Sequence, residues 1–155
     1  MNTPTDSQLM NMTANLMVLS RAYRSAADKA LVDFGLSQAT AWPVILTGRL
    51  GDGVRQGALA EALGVEGPSL VRVLDQLVAA GLMERREATQ DRRAKTIHLT
   101  ASGKALCEQV EAVLVQLRRQ LFKDVPQEDL TVCLSVLEQL KTALGRESAA
   151  AGFKP

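Results

Sequence analysis

The chain has 155 residues, of which 46% are apolar and only 3% aromatic, and its net charge is +1. This length suits one domain with a sizeable core, and the scarcity of aromatic residues favours packed helices built from Leu, Val and Ala. A nearly neutral chain is not a general nucleic-acid coat. Its two cysteines make no disulfide framework. No apolar run is long enough to span a bilayer, so we expect a cytoplasmic protein.

Residues 7–34 carry an apolar stripe that is typical of a long helix packed against another helix. The apolar residues recur at alternating steps of three and four. Gly35 predicts the end of this helix, and Ser37 is expected to cap a second helix that runs to about Leu50. Pro43 removes one hydrogen bond from the second helix, so a kink or a restart is expected there. The stripe consists of Leu9, Met12, Leu16, Leu19, Tyr23, Ala27, Ala30 and Phe34.

A short helix, a tight turn and a second helix are predicted next, which is the pattern of a helix-turn-helix. In the first, residues 56–65, the small Ala60 allows a close helix crossing and Gly64 permits the sharp turn. The second, about residues 67–80, has Ser69, Arg72 and Gln76 on one side. The side predicted to be apolar consists of Leu70, Val71, Leu74, Leu77 and Val78.

The polar side of this second helix is suited to the edges of DNA bases. Arg72 can bind guanine through two hydrogen bonds, and Gln76 can bind adenine in the same way. Val73, at the boundary of the two sides, is placed to contact a thymine methyl group. The alternative is an ordinary amphipathic helix, but Glu and Lys usually dominate a merely solvated face.

Two alternating segments then predict a β-hairpin, which we call the wing (residues 82–99). Leu82, Ile97 and Leu99 are its expected buried residues. The loop between the strands contains no apolar residue larger than Ala, so we expect it to protrude. Residues 85–95 hold five basic residues against two acidic ones, so positive charge is concentrated on the wing while the rest of the chain is slightly acidic.

Two further helices are predicted in residues 100–145. Thr100 is expected to cap the first, Pro126 to open the second, and Gly145 to end it. The predicted fold is therefore mainly α, a single domain of about six helices with a two-stranded wing. The small lobe of residues 37–99 cannot cover the apolar seams of the terminal helices. We therefore expect two copies of the chain to form a homodimer through the helices of residues 7–34 and 100–145.

The block from Gly64 to Thr100 resembles the MarR family of bacterial winged helix-turn-helix regulators and, within it, the SlyA-like branch. The resemblance extends more loosely over about residues 9 to 144. It implies a dimeric repressor, associated with the nucleoid, whose recognition helix is the helix at about 67–80. The matching residues are Gly64, Pro68-Ser69-Leu70-Val71-Arg72, Leu74-Asp75-Gln76-Leu77, Gly81-Leu82, Arg85, Asp91-Arg92-Arg93-Ala94-Lys95, Ile97 and Leu99-Thr100.

These residues predict a set of DNA contacts. Two recognition helices about one turn of DNA apart, roughly 10 base pairs, would read a pseudo-palindromic operator. An arginine at the wing tip suits a narrow A·T-rich minor groove. The resemblance further implies that Asp91 pairs with Arg93 and holds the loop. The assigned contacts are Pro68, Ser69, Arg72 and Gln76 to the major groove, Arg92 and Arg93 to the minor groove, and Arg85 and Lys95 to phosphates.

Arg21, Tyr23, Arg24 and Trp42 are the candidate residues for an effector. Paired guanidinium groups can hold a small aromatic carboxylate under the apolar cover of Tyr23 or Trp42, and the resemblance places the two arginines in such a crevice. The alternative is two solvated arginines. The sequence also departs from the SlyA pattern nearby, with Ala39, Ala41 and Ile45 where that branch has a Thr, a Trp and a His.

Cys107 and Cys133 leave open a redox-responsive regulator, although both fall at or beside apolar positions, where thiols are usually inert. A winged helix that docks a partner protein is a further alternative. We expect no enzyme, no metal and no cofactor, because the sequence contains no paired carboxylates, Ser-His-Asp arrangement, Gly-rich phosphate loop or metal-ligand cluster. His98 is expected to alternate outward on its strand.

Overall fold

The computed structural model describes residues 3–51, 53–89, 91 and 93–150, with the backbone alone for 146–150. Within these residues it has six α-helices and three short strands, which confirms the predicted mainly helical winged fold. The chain divides into two compact units, one ending at Leu117 and the other beginning at Arg118. None of the described helices has both the length and the apolar content that a membrane span requires. The elements are α1 (Asp6–Ala30), α2 (Gln38–Leu50), β1 (Val54–Arg55), α3 (Gln56–Leu63), α4 (Gly67–Ala79), β2 (Met83–Glu87), β3 (Lys95–Leu99), α5 (Ala101–Leu121) and α6 (Gln127–Ala150).

The first helix is shorter than its apolar stripe predicted. α1 ends at Ala30, and residues 32–34 form a separate 3-10 turn. Leu31 lies between the two and is fully buried, so the chain remains packed against the core where the helix ends. Gly35 closes the 3-10 turn with a left-handed φ of 65°, which a glycine adopts without steric cost.

Ser37 caps α2 as predicted. Its hydroxyl accepts a hydrogen bond from the backbone N–H of Thr40 at 3.3 Å, and Asp28 of α1 accepts another from the N–H of Gln38 at 2.6 Å. These contacts satisfy N–H groups that have no partner within the helix. α2 runs through Pro43 as one continuous helix, so the chain does not restart there.

The turn between α3 and α4 confirms the expected role of its glycine. The N–H of Val65 donates to the carbonyl of Ala60, and the N–H of Gly64 donates to that of Glu61, both at 3.1 Å. This pair of bonds is a Schellman motif, which needs a left-handed residue, and Gly64 has φ 64°. Leu59 and Ala60 are buried beside the turn and anchor α3 in the core.

The wing belongs to a three-stranded antiparallel sheet in the order β1-β3-β2, whereas two strands were predicted. The additional strand is only Val54–Arg55, which pairs with Ile97 and Thr96 of β3. A strand of two residues is too short to show an alternating pattern, so nothing in its own sequence distinguishes it from the turn before it.

The buried face of β2 differs from the prediction by one residue. Met83 is 1% exposed and lies opposite Leu99, whereas Leu82 precedes the strand and is only half-buried. Because side chains alternate along a strand, a shift of one residue exchanges the two faces. Ile97 and Leu99 are buried as predicted, and together with Met83 they pack the sheet onto the helical core.

The start of α5 is bonded to the end of α4. The hydroxyl of Thr100 accepts from the N–H of Gly103 at 3.0 Å and donates to the carbonyl of Gly81 at 2.7 Å. The N–H of Thr100 also donates to the carbonyl of Leu82 at 3.1 Å. Gly103 is buried, and a Cβ atom there would lie 2.0 Å from the Leu82 carbonyl oxygen. This close approach requires glycine.

The last helix is longer than predicted. α6 continues through Gly145, where the sequence predicted its end, and residues 151–155 lie outside the described part. A glycine inside a helix costs only about 0.5–1 kcal/mol relative to alanine, which a helix of this length can tolerate. α1 and α6 each expose large apolar side chains. These are Leu9, Met10, Met17, Val18 and Leu19 on α1, and Val132, Leu134, Val136 and Leu144 on α6.

We predict that Gly103→Ala lowers the free energy of unfolding by about 1–3 kcal/mol, because the added methyl group overlaps backbone that cannot move aside freely. Gly57→Ala is the matched control, since a Cβ there meets nothing within 4 Å and should be neutral or slightly stabilising. Urea unfolding of both variants makes the comparison. Equal stability of Gly103→Ala and the wild type would contradict the close approach of α5 to Leu82.

Candidate nucleic-acid interface

α4 presents the polar side chains that the sequence singled out. Leu70, Leu74 and Leu77 are at most 2% exposed and fix the inner side of the helix in the core. The outer side is free within the described chain, and Pro68 stands in the first turn, where its missing N–H removes no helical bond. The predicted contact residues Pro68, Ser69, Arg72 and Gln76 are all exposed.

Two of the three valines of α4 lie differently from the prediction. Val73 is half-buried and packs against the core, at the boundary of the two sides where the sequence placed it. Val71 and Val78, which were assigned to the apolar side, are 37% and 36% exposed. The buried arc of the helix is therefore centred on Leu70, Leu74 and Leu77 and extends toward Val73 only.

Arg85 of β2 is bonded to α4 rather than extended toward solvent. Its Nη1 donates to Oδ1 of Asp75 at 2.5 Å and its Nη2 donates to the carbonyl of Val71 at 3.2 Å. The arginine side chain is 26% exposed, against 57% for the aspartate. Arg85 was predicted to contact phosphate, and in the structure its guanidinium joins the wing to α4. Sequence spacing does not reveal this pair, because the two residues belong to different elements.

The remaining charges of the wing strands form exposed pairs. Arg86 donates to Glu84 at 2.5 Å on the same strand, and Lys95 donates across the hairpin to Glu87 at 3.4 Å. Exposed pairs of this kind contribute about 0–1 kcal/mol each and exchange readily for other partners. The ammonium of Lys95 can therefore leave Glu87 for a stronger anion.

Asp91 holds the wing loop through the backbone. Its carboxylate accepts from the N–H of Arg93 at 2.9 Å, and its carbonyl accepts from the N–H of Ala94 at 3.0 Å. The bond from Ala88 N–H to the Ala94 carbonyl, 2.9 Å, closes the loop. The resemblance implied a pair between Asp91 and Arg93, and the contact found is with the main chain of that arginine. Arg92, the other predicted minor-groove residue, lies outside the described residues.

A cavity of about 340 Å³ brings together two of the four predicted effector residues. Arg24 of α1 and Trp42 of α2 line it, whereas Arg21 and Tyr23 are not among its lining residues. The wall opposite α2 comes from the helix-turn-helix itself, through Leu63, Val65, Ser69 and Val73. Sequence reasoning missed this wall, because it did not place α4 against α2.

The two cysteines differ in their surroundings. Cys107 is buried, with its Sγ 3.8 Å from the Val44 carbonyl, and burial, followed by the nearby Glu111 carboxylate, raises the pKa of its thiol. A raised pKa lowers the thiolate fraction at neutral pH, and the thiolate is the reactive form. Cys133, which the sequence placed among buried apolar positions, is exposed in the described chain. His98 is half-buried, and its Nε2 lies 3.0 Å from the Thr96 hydroxyl.

The helix-turn-helix and most of the wing match a known protein family. A family model, MarR family, matches residues 50–95. The transcriptional regulator PA3341, known from a crystal structure, is 35% identical to this chain in sequence and superimposes with a TM-score of 0.78. The match covers 87% of this chain and 98% of that one.

Two further solved structures contain bound molecules. MepR from S. aureus, in a DNA complex, is 26% identical with a TM-score of 0.71, over 90% of this chain and 96% of that one. CouR from Rhodococcus jostii RHA1, bound to p-coumaroyl-CoA, is 25% identical with a TM-score of 0.77, over 83% of this chain and 90% of that one.

We predict a measurable coupling between Arg85 and Asp75 in a double-mutant cycle. The coupling in urea unfolding should be about 0.5–1 kcal/mol, at the upper end for partly exposed pairs, because the arginine is held by two acceptors. The matched cycle on Arg86 and Glu84, an exposed pair within one strand, should give less. A coupling no larger than that of the control pair would show that Arg85 does not stabilise the junction of α4 and β2.

Proposed function

Because the chain belongs to the MarR family of transcriptional regulators, we propose that it binds a specific double-stranded operator and represses transcription from it. The observation that carries the proposal is the outer side of α4. It exposes Ser69, Arg72 and Gln76 on a helix whose inner side is fixed by three buried leucines. A helix with this distribution fits the major groove and leaves its polar side chains free to reach base edges.

The wing supplies the second set of proposed contacts. Arg92 and Arg93 enter the adjacent minor groove, and Lys95 contacts phosphate. The backbone bonds that Asp91 accepts support this assignment, because they fix the main chain at Arg93 and Ala94 without engaging the Arg93 guanidinium. We assign Arg85 to positioning α4 against the wing, in place of a phosphate contact.

We further propose that two copies bind together as a homodimer. The many exposed large apolar side chains of α1 and α6 support this, because apolar surface on this scale is usually covered by a partner. A two-fold axis then sets two α4 helices roughly 10 base pairs apart on a pseudo-palindromic operator. The DNA complex of MepR is consistent with a DNA-binding role for the shared fold.

The proposed effector is a small anionic aromatic molecule in the cavity between α2 and α4. Arg24 provides a cation for a carboxylate, and Trp42 provides apolar cover. CouR, a relative of the same fold, binds a thioester of an aromatic acid. Such a ligand releases DNA only to the extent that it prefers the conformation that cannot bind the operator. Arg21 and Tyr23 do not line this cavity, so we assign them no contact with the effector in it. Membership of the SlyA-like branch remains a prediction from the sequence.

Arg72→Ala tests the DNA-reading assignment. On a duplex footprinted upstream of the protein's own gene, the variant should lose about 1–3 kcal/mol of binding free energy and lose discrimination at one base pair per half-site. Lys95→Ala is the control. A lost phosphate contact should weaken binding to all duplexes alike, and it should reduce the slope of log affinity against log salt concentration by about one. Fluorescence anisotropy against matched and mismatched duplexes over a salt series measures both.

The proposal fails if Arg72→Ala keeps the discrimination of the wild type. Salt-insensitive binding to a protein, in place of salt-dependent binding to one operator, would favour the alternative of a protein-docking winged helix. The redox alternative has less support, since burial disfavours the reactive form of Cys107.

Salicylate tests the effector cavity. At ten times its dissociation constant a ligand adds about 1.4 kcal/mol of stability, which should raise the melting temperature by a few degrees. Arg24→Gln should abolish the shift, and Arg21→Gln, an exposed arginine of the same helix that does not line the cavity, should retain it. Salicylamide, which has no carboxylate, should give a smaller shift. Equal shifts in the two arginine variants would remove Arg24 from the site.

A further inference from the structure

The outer side of α4 has two flanks of different chemistry. One flank, with Ser69, borders the cavity that Val73 also lines. The other flank, toward the wing, carries the side chains of Val71 and Val78, which are 37% and 36% exposed. Isolated exposed valines are ordinary on protein surfaces. Here, however, one of them directly precedes Arg72, in the half of the helix nearest its N-terminus.

Arg85 fixes the position of Val71. Its guanidinium donates to the Val71 carbonyl at 3.2 Å and to the Asp75 carboxylate, one helical turn later, at 2.5 Å. The two bonds neutralise the only acidic side chain on this face of α4 and tie the flank to β2. Val71, which is 37% exposed, is an apolar side chain on this flank directly beside Arg72.

We propose that Val71 contacts the methyl group of a thymine in each half-site of the operator and thereby determines the base pair accepted there. This inference rests on the proposed function, since it requires α4 to lie in the major groove. The thymine C5-methyl is the only apolar group that a base pair presents in that groove. Val73, which the sequence favoured for this contact, is half-buried against the core and lines the cavity, whereas Val71 is exposed.

The chemistry of valine suits this contact. A β-branched side chain in a helix has one strongly preferred rotamer, so its methyl groups lose little freedom when they dock. Residues near the N-terminus of a recognition helix approach the base edges most closely. Val71 lies in that part of α4, whereas Val78 lies two turns further on and near the end of the helix. Val78 is therefore a matched control of the same residue type and exposure.

Deoxyuridine, which lacks only the methyl group, provides the test. An operator is first selected with the wild-type protein from a library of random duplexes, and each thymine is then replaced in both half-sites at once. At one position the wild type should lose about fourfold in affinity per half-site, the ratio that corresponds to ~0.8 kcal/mol for one buried carbon group. Val71→Ala should bind the thymine and deoxyuridine duplexes almost equally, and Val78→Ala should respond as the wild type does.

Three outcomes would overturn the inference. The methyl effect could persist in Val71→Ala, it could vanish in Val78→Ala as well, or no thymine methyl could matter to the wild type. In each of these cases an enriched operator would still leave the proposed function standing. If the selection enriched no sequence at all, the proposed function would fail together with the inference.

Discussion

The contact of Arg85 with α4 joins the helix and the wing, the two elements proposed to contact DNA. One guanidinium bonds both a carboxylate and a main-chain carbonyl of the helix, at positions one turn apart. Two acceptors on one rigid, planar donor fix orientation as well as distance, which a lysine could not do. The helix and the hairpin are thus presented to a nucleic acid as one surface, and little conformational freedom is left to be lost on binding.

The cavity beside α4 shows how the same surface can be regulated. Its walls come from α2, from the turn that begins α4, and from one arginine of α1. Ser69 belongs both to this wall and to the exposed side of the helix. An occupant of the cavity would therefore lie against α4, and in the proposed mechanism a small displacement of α4 changes its fit to DNA. Rigid packing of the buried leucines favours displacement of the helix as a unit over local deformation.

Local signals made much of this fold predictable from the sequence. Ser37, Gly64 and Thr100 each act within a few residues of their own position, so spacing alone identified them as caps and turns. Features that depend on distant partners were not predictable. On a helix of 3.6 residues per turn Val73 lies nearer than Val71 to the centre of the Leu70, Leu74 and Leu77 stripe, so the helix geometry already favours its burial. Which elements flank the stripe, α2 beside Val73 and the wing beside Val71, depends on tertiary neighbours. The partner of Arg85 and the two-residue strand β1 depend on tertiary neighbours in the same way.

The contact between Gly103 and Leu82 has a mechanical consequence. The hydroxyl that caps α5 is also bonded to the carbonyl that follows α4, and the first turn of α5 lies against the backbone with no side chain between them. A tilt of α5 at its first turn would therefore push directly on the backbone at Leu82, and through it on the segment that joins α4 to the wing.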